Sequence, residues 1–196
     1  MRSGFLFVMV NAIEVNLFWN GMTKICDNKS VGQIIKKGHS FVVIERHNYP
    51  QAFAFVAGHC DGDNFANAAT KESREEAGVE IIKNKLVWSG KIDNPCKREG
   101  GSFHDWEIFE AESWHGDLVP GDDAKRFFLG SLDNLKKLGA RTDYFAKKYG
   151  INYEKVGELT LKIFGSPTER ITDPEWVAEP GLEPVWYFIL KQIDTI

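Results

Sequence analysis

Lys71-Glu72-Ser73-Arg74-Glu75-Glu76-Ala77-Gly78-Val79 decides how this chain is read. The stretch predicts a helix that ends at Gly78. Glu72, Glu75 and Glu76 are related by i, i+3 and i+4, so their side chains share one face. Like charges at that spacing destabilise a helix by about 0.2–0.5 kcal/mol per pair. Carboxylates near a helix C-terminus also oppose the macrodipole. Taken alone, the triplet favours a solvated acidic face, because glutamate-rich helices are common. The residues around it reverse that preference and point to a hard divalent cation.

Upstream, Ala57-Gly58-His59-Cys60-Asp61-Gly62-Asp63 reads as a glycine- and aspartate-rich loop after the apolar run Phe53-Ala54-Phe55-Val56. Asp63 or Asn64 is placed to cap the next helix. Phe65, Ala66, Ala68 and Ala69 begin that helix, and Gly78 occupies the left-handed stop position. Strand, glycine loop, acidic helix and glycine stop together offer loop carbonyls and helix carboxylates to one ion.

This arrangement resembles the signature of the Nudix hydrolases, G-x5-E-x7-R-E-U-x-E-E-x-G-U, with U a bulky aliphatic. Glu72, Glu75, Glu76, Gly78 and Val79 match it. Lys71 stands where the family has Arg, Ser73 where it has an aliphatic, and Asp63 where it has the first Glu. Ala57 fills the strict glycine position, and counted from Gly58 the loop is a residue short. The family's Arg forks onto a glutamate, a bidentate contact that Lys cannot reproduce. Cys26 to Gly32, Ala57-Gly58-His59, Asn94-Pro95-Cys96 and Leu182 to Tyr187 look like one bacterial subgroup without a defined substrate.

The resemblance implies an α/β fold: a Nudix-type α/β/α sandwich with a mixed sheet and a helical C-terminal extension over 141–196. It implies Mg2+ or Mn2+ as cofactor and a nucleoside diphosphate linked to another group as substrate, cleaved at the pyrophosphate bond. Glu72 and Glu76 become the principal metal ligands, and Glu75 a ligand or base; Glu75 and Glu76 are the expected catalytic pair. The resemblance also implies Ala57 or Gly58 as the carbonyl donor to the ion. Family members often recruit a late-loop acid, for which Asp123 is the choice, with Asp122 next. A homodimer follows by analogy. The departures at Lys71, Ser73 and the loop keep open a catalytically weakened nucleotide-binding or regulatory module of the same fold.

Bulk properties are ordinary for a soluble globular protein. With 196 residues, 43% hydrophobic and 27% charged, the chain suffices for a domain with a full core, expected over 22–196. A net charge of −4 disfavours a broad nucleic-acid surface. Residues 1–21 read as an extension or a mis-assigned start. Gly4 to Val10 is too short and too soon interrupted by Glu14 to be a signal peptide or a membrane span. Ile13, Val15 and Leu17 alternate as in a strand. Cys26, Cys60 and Cys96 include no C-x-x-C pair, so free thiols in a reducing cytosol are expected, and a site built from His59, Cys60, Cys96 and His104 is disfavoured.

Elsewhere the pattern predicts strands at His39 to Arg46, Gln51 to Val56, within Val79 to Ile92, at Phe103 to Glu112 and at Lys125 to Leu129. Helices are predicted around Phe65 to Ala77, from Leu132 to Leu138, up to Gly150, over Val156 to Ile163 and over Pro184 to Ile193. Trp88, Phe103, Trp106 and Trp114 read as core or as base-stacking surfaces.

Overall fold

The computed structural model describes residues 24–121 and 124–196. The strand-like Ile13 to Leu17, and Asp122 and Asp123, lie outside the described residues. In chain order the elements are β1 (Lys29–Ile34), β2 (Lys36–Lys37), β3 (Ser40–Arg46), β4 (Phe53–Ala54), β5 (Val56–His59), α1 (Phe65–Ala77), β6 (Glu80–Ile92) and β7 (His104–His115). They continue with β8 (Ala124–Gly130), α2 (Leu132–Tyr149), α3 (Val156–Phe164), α4 (Pro174–Ala178) and α5 (Pro184–Gln192).

The fold is α/β with a mixed sheet in the order β5-β1-β7-β6. β1 runs parallel to β7, while β5 pairs antiparallel with β1 and β6 with β7. A second sheet joins β2, β3 and β4, with β8 on β3. The chain changes sheets at Phe55: Phe53 pairs with Glu45 of β3, and Val56 with Gln33 of β1.

Side chains alternate across a strand, and that alternation splits the core. Val31 and Phe109 face α1, where Ala68 and Ala69 let the helix lie close to the sheet. Ile34, Trp106 and Ile108 face the opposite way, into a cluster that includes Val185, Trp186, Ile189 and Leu190 of α5. Gly32 belongs to that second face. A methyl group there would lie 2.5 Å from the Trp186 ring, so glycine makes the seat into which the indole fits. One helix thus covers each face of the mixed sheet. Phe164 and Trp176 of the tail join Phe145 and Leu159 in a further buried cluster. No helix among the described residues is long and apolar enough to cross a membrane.

The sequence pattern needs two corrections. Residues 57–59 form the end of β5, paired with β1 through Gly58 and Val31, so the glycine-rich loop begins only at Cys60. The two predicted helices around Leu138 and Tyr144 are one helix, α2, running through Gly139 to its left-handed stop at Gly150. Gly139 does not break it because the glycine faces the Tyr187 ring, 3.2 Å from where its Cβ would be, and allows α2 and α5 to approach.

Candidate active site

Helix α1 is set by its own ends. Asn64, rather than Asp63, caps it, its side chain accepting from the Asn67 amide at 2.9 Å. Gly78 closes it at φ 70°, donating to the carbonyls of Arg74 and Ser73. Ser73 is fully buried, and its hydroxyl donates to the Ala69 carbonyl at 2.7 Å. That internal bond explains how a polar side chain replaces an aliphatic one beneath the sheet.

With the helix so fixed, Glu72 and Glu76 point at the end of β5. One oxygen of Glu76 accepts the Ala57 amide at 3.1 Å. The Glu72 carboxylate lies against the Cα of Gly58: a methyl group built there would meet its Cδ at 2.0 Å. Both side chains line a cleft of about 380 Å³ together with Ala57, Gly58, Arg46 and Trp106. Burial pushes the Glu72 carboxyl up to about 7; the neighbouring Glu75 charge adds to the rise and Lys71 opposes it.

The other expected residues sit differently. Glu75 is exposed beside the cleft, and the Gly121 backbone packs on its carbonyl. Asp63 is exposed at the start of α1 and Lys71 on its outer side, and neither lines the cleft. Lys71 makes no ion pair among the described residues, so no fork onto a glutamate comes from that position. Asp123 lies outside the described residues, and the Gly121 amide donates to the Glu76 carbonyl at 3.0 Å.

The cleft's other walls come from segments that no single motif announces. Arg98 forks onto Asp61 and, as the first cause, holds that carboxyl well below its usual range. Tyr49 lines the cleft too, and its hydroxyl donates to the Gly165 carbonyl of the tail at 3.0 Å. Arg46 pairs with Glu183 at 3.2 Å. His59, Cys96 and His104 line the same cleft. Cys26 lies with them, whereas Cys60 turns away into the apolar cluster under α1. The sequence spacing disfavoured such a cluster, because its members are far apart along the chain and meet only when the sheet forms.

The donor set at Glu72 and Glu76 fits a hard cation: carboxylate oxygens, with backbone of β5 against them, on the wall of a cleft. Such an ion would be held by these two glutamates.

The sequence profile of the NUDIX domain matches residues 28–148. An ADP-ribose pyrophosphatase of Methanocaldococcus jannaschii is 31% identical over 123 residues, covering 61% of this chain and 71% of that protein. Among solved structures, a MutT NUDIX hydrolase from Burkholderia pseudomallei superposes with a TM-score of 0.48 at 17% identity, over 55% of this chain and 84% of the other. A C. elegans Ap4A hydrolase superposes with a TM-score of 0.44 at 16% identity, over 62% and 96%.

Proposed function

The chain belongs to the NUDIX family, and we propose that it is a divalent-metal-dependent pyrophosphohydrolase acting on a nucleoside diphosphate linked to another group, ADP-ribose and nucleotide sugars being the first class to test. The observation that carries this reading is the placement of Glu72 and Glu76 against Ala57 and Gly58 on the wall of one cleft. The relative that acts as an ADP-ribose pyrophosphatase supports the substrate class.

Mg2+ or Mn2+, when bound, would neutralise the diphosphate and acidify a coordinated water. The chain's own part is positional. Gly58, lacking a side chain, lets Glu72 reach the backbone of β5. The Ala57 amide fixes one oxygen of Glu76. Glu75 is assigned with Glu76 to proton handling, its exposed carboxylate standing a turn away from Glu72. Partial burial of Glu72 disfavours its bare charge, so a cation relieves a cost that the apo protein carries.

The test is turnover of ADP-ribose, nucleotide sugars, dinucleotides and nucleoside triphosphates in magnesium. Hydrolysis abolished by a chelator is expected. Nucleotide binding without hydrolysis across the panel would overturn the reading in favour of a binding module. One observation favours that second reading: Lys71, in place of Arg, makes no ion pair among the described residues.

A further inference from the structure

We propose that Cys26, His59, Cys96 and His104 form a closed tetrahedral Zn2+ site that fixes a wall of the cleft that Glu72 and Glu76 also line. One ligand atom from each of the four residues can be chosen so that all lie within 4.8 Å of one another. Cys26 Sγ is 3.2 Å from His104 Nε2, and Cys96 Sγ is 3.3 Å from His59 Nε2. A tetrahedron with Zn–S near 2.3 Å and Zn–N near 2.1 Å has edges of about 3.4–3.8 Å. The two short edges therefore need a few tenths of an ångström of expansion, and the longest separation, at most 4.8 Å, a contraction of up to about 1 Å, to admit the ion.

The surroundings are built for two thiolates and two neutral imidazoles. His104 Nδ1 lies 2.9 Å from Asn94 Oδ1. The indole of Trp106, which can only donate, also points at that oxygen, at 3.5 Å. Asn94 Oδ1 is therefore the acceptor, His104 Nδ1 carries the proton, and the lone pair of Nε2 faces the cluster. An outer partner of this kind orients a metal-binding imidazole. Each sulfur also receives a backbone amide from two residues on: Asn28 to Cys26 at 3.4 Å and Arg98 to Cys96 at 3.3 Å. Such donors stabilise negative sulfur. Gly101 brings the two cysteine turns together, since a methyl group there would lie 2.4 Å from Cys96 Cβ and 2.9 Å from Cys26 Sγ.

The donor chemistry selects the ion. Two soft sulfurs and two imidazoles suit zinc, whereas magnesium takes oxygen. All four positions are filled by protein atoms, leaving none for water or substrate, so the role is structural. The site ties together the segment before β1, the end of β5, the loop holding Asn94 to Gly101 and the start of β7. That loop carries Asn94, Pro95, Cys96 and Arg98 along the cleft. The proposal is independent of the hydrolase reading, because metal content is read without substrate.

The full chain, produced in zinc-containing medium and passed through a desalting column after brief exposure to a chelator, should retain stoichiometric zinc by elemental mass spectrometry. Cys26→Ser and Cys96→Ser should fall to background, and Cys60→Ser should not. Asn94→Ala should weaken zinc affinity about 10–100-fold. Cobalt loaded into the unmutated chain should show the intense visible bands of a tetrahedral ion and a thiolate charge-transfer band, a readout that does not depend on any variant folding. An octahedral cobalt spectrum, zinc at background in the unmutated chain, or a Cys26–Cys96 disulfide in fresh protein would overturn the proposal.

Discussion

The Glu72 carboxylate occupies the space where any residue but glycine at position 58 would place its side chain, 2.0 Å from the built Cβ. The obstacle is the tip of a flexible side chain, so Gly58→Ala is expected to swing Glu72 away rather than unfold the protein. Activity should fall about 100-fold, the scale of a lost catalytic contact, while circular dichroism and the melting temperature change little. An active Gly58→Ala enzyme would remove Glu72 from the reacting centre.

Glu76→Gln keeps the shape of the side chain and removes its charge. It should lower kcat about 100-fold or more with the fold intact. Near wild-type turnover in this variant would take Glu76 out of the site.

Glu72 gives stability an inverted pH dependence in the absence of metal. Its folded carboxyl is pushed up to about 7 from a reference of 4.5. Between those values the folded state holds more protons than the unfolded state, so the Glu72 contribution falls as pH rises through that window and is fully present below it. In chelator, Glu72→Gln should therefore melt higher than wild type at pH 8 and should gain much less at pH 4. Added magnesium should erase the wild-type deficit. Parallel melting curves for the two proteins at both pH values would contradict the assignment.

Lys71 lies close enough to oppose the rise in the Glu72 pKa but makes no ion pair among the described residues. Arginine offers a fork where lysine offers a point charge. Lys71→Arg is expected to raise kcat/KM in magnesium, and an unchanged value would show that the position does not orient the glutamates.

Gly32 and Trp186 give a stability prediction. Gly32→Ala drives a methyl group to 2.5 Å from the buried indole and 2.8 Å from Ile108. Overpacking of this kind costs about 1–3 kcal/mol, readable by urea denaturation. Trp186→Ala should cost about 3–5 kcal/mol. Ending the chain after Gly150 removes Leu182, Val185, Trp186 and Ile189 from the main core, and soluble, cooperatively unfolding protein from such a truncation would refute the packing argument.

Local signals made α1 readable: Asn64 and Gly78 bracket it, and the predicted span of Phe65 to Ala77 is the span observed. β3, β7 and β8 were likewise legible from apolar runs and alternation. What failed depended on distant partners. Ala57 to His59 looked like a loop because its glycine is there for Glu72, not for a turn. The helix over Leu132 to Leu138 and the one ending at Gly150 read as two because the Tyr187 ring that Gly139 accommodates lies far along the chain. Cys26 carried no spacing signal toward His104, 78 residues away, because only the parallel pairing of β1 with β7 brings their neighbourhoods together.

The Tyr49 hydroxyl held by Gly165 has a consequence for how preferences among guests are inherited. A lining residue of the cleft is braced by a segment beyond the shared domain, so transplanting α1 into a relative would carry the reactive centre without that wall. Swapping tails between relatives, with every glutamate left in place, is the exchange that should redirect which molecules are admitted.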